Sequence, residues 1–84
     1  GGYRAVPATG GAAAHVVAFT RGEDVLVAVP RWTLRLAETG WGDTAVPLPD
    51  GDWNDRLTGR MYSGVVAAGD LFAELPGALL ERAL

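Results

Sequence analysis

The apolar positions of this chain alternate more often than they recur at helical spacing. Residues 15–21 read His-Val-Val-Ala-Phe-Thr-Arg, and residues 24–31 read Asp-Val-Leu-Val-Ala-Val-Pro-Arg. Both runs are rich in β-branched side chains and predict strands. Arg21-Gly22-Glu23-Asp24 stands between them, with glycine at the first central position of a tight turn, and predicts a type II′ hairpin. Val17 and Phe19 then face one way, and Val16 and Ala18 the other, so both faces of the pair are apolar. A strand pair with one wet face should alternate apolar and polar residues. This pair is therefore either central in a sandwich or covered on its outer face by something else.

The remaining pattern is shorter in its runs. Residues 3–7 predict an edge strand closed by the turn cluster Pro7-Ala-Thr-Gly10-Gly11. Residues 32–36 alternate Trp, Leu, Leu against Thr and Arg, which predicts a third strand, and 39–43 a loop. Residues 44–48 predict a short strand whose Pro47 suits an edge or strand end. Pro49-Asp50-Gly51-Asp52 is a turn signal, followed by strands over 53–57 and 60–66 around a Thr58-Gly59 turn. Asp70 is placed to cap a single helical turn over 70–75 that Pro76 ends. Residues 77–84 fit either a helix opened by Pro76 or a closing strand. Turn signals every 8 to 12 residues point to an all-β fold, a small antiparallel β-sandwich or barrel, forming a single domain over 1–84.

Composition narrows the possible functions. At 84 residues the chain holds one modest core, and with no cysteine it has neither a disulfide nor a thiolate metal site. Its seven cations are all arginine, scattered among ten acidic residues, so no basic footprint for nucleic acid exists. The longest nearly uncharged run, 12–20, is too short to span a bilayer, and no signal-peptide pattern occurs. No membrane partner and a cytoplasmic location are expected. The absence of Lys, Ile and Gln beside fourteen alanines reflects a GC-rich coding bias rather than a mechanism. The opening Gly1-Gly2-Tyr3, without methionine, suggests a piece of a longer protein.

Candidate chemistry is sparse. His15 is the only side chain that ordinarily titrates near neutrality, and Ser63 is the only serine available to it as a nucleophile. Asp50, Asp52 and Asn54 match the first three ligand positions of a calcium loop, but Asp55 then stands where glycine is required and Met61 where a bidentate Glu belongs. No metal is expected, and the acids read as turn formers. None of the ten carboxylates sits in a segment that looks buried, as an acid catalyst with a raised pKa would need to be. Trp32, Trp41, Trp53 and Tyr62 are either core anchors or sugar-stacking faces, with Trp41, between two glycines, the best placed for sugar. There is no phosphate loop.

Several segments together bear a specific likeness. They are Tyr3-Arg-Ala-Val-Pro-Ala-Thr-Gly10, His15-Val-Val-Ala-Phe-Thr-Arg-Gly22, Gly40-Trp-Gly-Asp-Thr44, Leu48-Pro-Asp-Gly-Asp-Trp53, Asp55-Arg-Leu-Thr-Gly59, Leu71-Phe-Ala-Glu-Leu-Pro76 and Ala78-Leu-Leu80. In this order and spacing the chain resembles the C-terminal end of the maltooligosyltrehalose synthases, in the alpha-amylase superfamily. The resemblance implies a β-sandwich of the superfamily's domain C type, with 78–82 as a closing strand. It also implies a parent isomerase that turns the terminal α-1,4 bond of a maltooligosaccharide into the α,α-1,1 bond of trehalose by intramolecular transglucosylation. The catalytic carboxylates would lie in a barrel domain absent from this chain, so no catalytic residue and no cofactor carries over. The implied partners are that barrel and, through it, the maltooligosaccharide. On this reading Val16 and Ala18, or Val17 and Phe19, would be covered by the barrel. A maltooligosaccharide-binding module and an independent small interaction protein are the alternatives.

Overall fold

The computed structural model describes residues 2–31 and 34–83. Six antiparallel strands are hydrogen-bonded into one sheet. In chain order they are β1 (Tyr3–Ala5), β2 (Val16–Arg21), β3 (Val25–Pro30), β4 (Ala45–Asp55), β5 (Met61–Ala67) and β6 (Ala78–Arg82). Across the sheet they run β1-β2-β3-β6-β4-β5, so the last strand enters between the third and the fourth. A 3₁₀ turn over Ala13–His15 precedes β2, and the helices α1 (Leu34–Thr39) and α2 (Ala68–Leu71) follow β3 and β5. The all-β antiparallel expectation holds.

The β2–β3 hairpin forms as its sequence predicts, with Val17 opposite Val29 and Phe19 opposite Val27. Its loop is longer than expected. Arg21 pairs with Val25, leaving residues 22–24 outside the ladder where a type II′ turn has two. Gly22 adopts φ +66°, and the Asp24 carbonyl is drawn to β6 by the Arg82 N–H at 2.7 Å. The tail is the closing strand. Ala78 and Leu80 are buried while Leu79 and Glu81 are exposed, a period of two that a helix could not produce.

Three expected elements differ. Residues 34–36, read as part of a strand, are helical; Trp32 and Thr33 lie outside the described residues. The run Leu34-Arg-Leu-Ala-Glu is made of good helix formers, and Gly40 at φ +69° ends the helix with its N–H on the Leu36 carbonyl, 2.7 Å away. The second difference is the turn expected at 49–52, which lies inside the eleven-residue β4. Pro47 pairs with Val65 and Asp52 with Ser63, so residues 48–51 bulge opposite the single Gly64. The bulge supplies its own partners: Trp53 Nε1 donates to the Pro49 carbonyl at 3.0 Å, and Arg82 donates to that of Asp50. The third is the helical turn expected over 70–75. It starts earlier, because the Ala68 N–H is fixed by the Thr44 carbonyl at 2.9 Å, and Asp70 lies within it rather than capping it.

Residues that face each other across the ladder share a side of the sheet. Ala18, Leu26, Ala28, Ala78, Leu80 and Trp53 line the inner side, where Leu71 and Phe72 join them in one core. The segment after β1 closes over this core. Val6 N–H bonds the Ala18 carbonyl, and Thr9 exchanges two backbone hydrogen bonds of 2.8 and 2.9 Å with Ala45. Among the described residues, Val6, Leu71 and Phe72 pack on that side, while Val17, Val29 and Leu79 on the outer side of β1-β2-β3-β6 stay exposed.

Candidate functional site

His15 and Ser63, the pair weighed for nucleophilic chemistry, do not meet. His15 ends the 3₁₀ turn with Nδ1 3.2 Å from the Arg31 carbonyl, a local contact that pins the hairpin base. Ser63 is exposed on β5, and three strands separate β5 from β2. Asp50, Asp52 and Asn54 follow one another along the extended β4 rather than around a closed loop. Among the described residues no group of three His, Asp or Glu is placed to share a metal. Arg60 and Glu74 pair at 3.0 Å on the surface; a hydrogen bond that Arg60 donates to Tyr62 and then the Glu74 charge hold the guanidinium above its ordinary pKa.

One carboxylate is buried, contrary to the sequence reading. Asp55 is fully enclosed opposite Leu80. Its Oδ1 accepts the Leu57 N–H at 2.9 Å, its carbonyl accepts the Gly59 N–H at 2.7 Å, and Oδ2 has no partner. The Asp-x-Leu-Thr-Gly run was the available signal, since Asp bonds its own backbone two residues on. Enclosed as it is, Asp55 shapes a turn and meets no substrate.

The aromatic candidates divide. Trp53 is completely buried and belongs to the core, and Tyr62 is half-buried against it. Trp32 lies outside the described residues. Trp41 is half-buried with its ring 5.5 Å from that of Phe72, and it lines a cleft of about 280 Å³ together with His15, Thr39 and Asp43. A larger cleft, about 530 Å³, opens at the hairpin tip between Arg4, Glu23, Asp24 and Arg82. Arg82 is committed there to structure, since Nε and Nη2 both donate to the Glu23 carbonyl at 3.0 and 2.8 Å.

The most extensive feature is the open side of the sheet. One row crosses four strands as Ala5, Phe19, Val27 and Leu79; Val17 pairs with Val29 beside it. The next row is Tyr3, Arg21, Val25 and Glu81. Val17, Val29 and Leu79 are 43%, 41% and 37% exposed, and Tyr3 is 67% exposed with its ring edge-on to Phe19 at 5.5 Å. Two of the four residues in that second row are charged: Arg21 lies over the Tyr3 ring, and Arg56 approaches Glu81 to 4.0 Å. The doubly apolar hairpin thus buries Ala18 and leaves Val17 open to solvent.

No family model matches the sequence. Proteins of two Mycobacterium tuberculosis strains that bear the name maltooligosyl trehalose synthase are each 60% identical to it over 82 residues, 98% of this chain and 11% of theirs. Two solved structures of maltooligosyltrehalose synthase from Arthrobacter ramosus, one of them a mutant, superpose on it with a TM-score of 0.90 at 39% identity. They cover 96% of this chain and 11% of the enzyme. The chain thus spans about a tenth of the length of the proteins it matches.

Proposed function

This chain is homologous to a segment of the maltooligosyltrehalose synthases, and from that premise we propose that it is a non-catalytic accessory domain of a cytoplasmic trehalose-forming isomerase, at the C-terminal end of that enzyme. The parent would convert the terminal α-1,4 bond of a maltooligosaccharide to α,α-1,1 on a barrel elsewhere in the polypeptide, and this domain would stabilise that barrel by packing against it. The observation that carries the reading is the match itself, 60% identity across 98% of this chain against 11% of the relative. The scattered positions of His15, Ser63 and the exposed acids support a structural rather than a chemical part.

Converting a reducing end to an α,α-1,1 bond removes its reducing power, which gives a direct assay. Maltoheptaose should lose reducing ends with the full-length polypeptide and keep them with this chain alone. Loss of reducing ends with the chain alone would overturn the proposal. Trp41 beside its cleft favours a second reading, a maltooligosaccharide-binding module. Calorimetric titration of the chain with maltoheptaose distinguishes them: silence supports the packing role, and millimolar or tighter binding the module.

A further inference from the structure

We infer that the cleft beside Trp41 is a contact site for one sugar ring, stacked on the indole with its hydroxyl groups donating to His15 and Asp43. The inference goes beyond the packing role, because a domain that packs on a barrel can carry such a contact as well. Trp41 is backed by the core, its ring 5.5 Å from that of Phe72, and it reaches the surface in the cleft. Its two sequence neighbours are glycines in the left-handed region, Gly40 at φ +69° and Gly42 at φ +56°. A Cβ at either would meet nothing within 4 Å, so both neighbours leave open space beside the indole. An aromatic ring anchored from behind and left clear at its edges suits the apolar face of a pyranose.

The polar atoms around the ring select the chemistry of the ligand. His15 Nδ1 lies 3.2 Å from the Arg31 carbonyl, a contact that assigns the proton of the neutral imidazole to Nδ1 and leaves Nε2 an acceptor. Asp43 Oδ1 accepts the Gly11 N–H at 3.0 Å, which leaves Oδ2 as a second acceptor. Among the described residues neither Nε2 nor Oδ2 has a hydrogen-bond partner. Two acceptors beside an indole call for a ligand that brings hydroxyl donors and an apolar face. A phosphate or carboxylate would meet the Asp43 charge and is disfavoured. A cation would satisfy Asp43, but ligands of that kind are held in cages of several aromatic rings, and this cleft offers one indole. The cleft measures about 280 Å³, at the lower end for ligand sites, which is room for one ring rather than a run of them. One stacked ring with two hydrogen bonds in an open cleft gives a dissociation constant on the order of 10 mM. That is weaker than the millimolar binding of a dedicated module, and it leaves the packing role intact.

NMR titration of the ¹⁵N-labelled chain with maltose, sorbitol and tetramethylammonium tests the inference. Sorbitol carries hydroxyl groups without a ring, and tetramethylammonium carries the charge without hydroxyl groups. The Trp41 indole N–H and the Gly40 and Gly42 amides should shift with maltose and saturate with a midpoint on the order of 10 mM. Neither control should move them to saturation. Asp43→Asn keeps the acceptor for the Gly11 N–H and replaces Oδ2, so it should bind about fivefold more weakly with the rest of the spectrum unchanged. Trp41→Leu should abolish saturation while the amides of the sheet keep their shifts. Shifts that grow linearly with maltose, saturation by sorbitol or tetramethylammonium, or either variant binding as tightly as the parent would overturn the inference. Each of these outcomes leaves the accessory-domain reading standing, since the reducing-end assay tests that separately.

Discussion

Arg82 sits directly across the β6–β4 ladder from Trp53, its guanidinium carbon 4.6 Å from the indole centroid. The pair joins the two irregular parts of the fold. Trp53 Nε1 holds the bulge at Pro49, and Arg82 reaches the Asp50 carbonyl in the same bulge and the Glu23 carbonyl in the hairpin loop. Arg82 also lies 3.5 Å from the Asp24 carboxylate. One side chain therefore links β6, the β4 bulge and the β2–β3 tip. Arg82→Ala is expected to cost about 2 kcal/mol, combining a partly desolvated cation–π contact with charge-assisted hydrogen bonds. Arg82→Lys should recover less than half of that, since a compact ammonium lacks the planar guanidinium that reaches the Glu23 and Asp50 carbonyls from different nitrogens while lying over Trp53. Urea unfolding midpoints measure both, and a Lys variant as stable as the parent would contradict the assignment.

Two glycines in the left-handed region should respond differently to alanine. A Cβ on Gly22 meets nothing within 4 Å, so only the backbone conformation is penalised, about 1–2 kcal/mol. A Cβ on Gly10 would stand 2.6 Å from the Thr44 Cα and 2.8 Å from the Asp43 carbonyl oxygen, backbone atoms held by the Thr9–Ala45 bridge. Gly10→Ala should then cost about 3 kcal/mol or more, adding overpacking to strain. Thermal unfolding of the two variants side by side checks the order. Equal losses would show that the crossing after β1 is not tightly seated.

The hairpin was legible because its signals are local, β-branched runs and a glycine at the turn, whereas residues 77–84 fit a helix or a strand equally and only the resemblance favoured the strand that forms over Ala78–Arg82. The helix over Leu34–Thr39 was misread because the alternation of Trp32, Leu34 and Leu36 satisfies a period of two, while the helix propensity of 34–38 and Gly40 at its end were the deciding cues. The β4 bulge was not legible. Pro49-Asp50-Gly51-Asp52 has the chemistry of a turn, and contacts from Trp53 and from Arg82, the latter about thirty residues away, help keep it within one strand. For the site, the sequence identified the apolar hairpin but could not say which of its sides stays open, because that depends on where α2 and the β1 crossing pack.

Asp55 offers a third test. Its Oδ1 has a partner and its Oδ2 does not, and an enclosed charge without a partner is costly. Asp55→Asn keeps the acceptor for the Leu57 N–H and removes the charge, so its stability should stay within about 1 kcal/mol of the parent or exceed it. Asp55→Ala leaves that N–H unpaired and should lose about 1–3 kcal/mol. Chemical denaturation reads both. An Asn variant as damaged as the Ala variant would mean that the unpartnered oxygen is held by a donor after all.

The most direct test of the packing role is Leu79→Ser, compared in two contexts by the unfolding midpoint of this domain. In the chain alone Leu79 is already 37% exposed, and the substitution should cost under about 1 kcal/mol. In the full-length polypeptide the same change should cost about 2 kcal/mol more, because it would place a hydroxyl in a closed apolar contact. An equal, small loss in both contexts would contradict the account, leaving the open side of the sheet exposed to water in the enzyme as well.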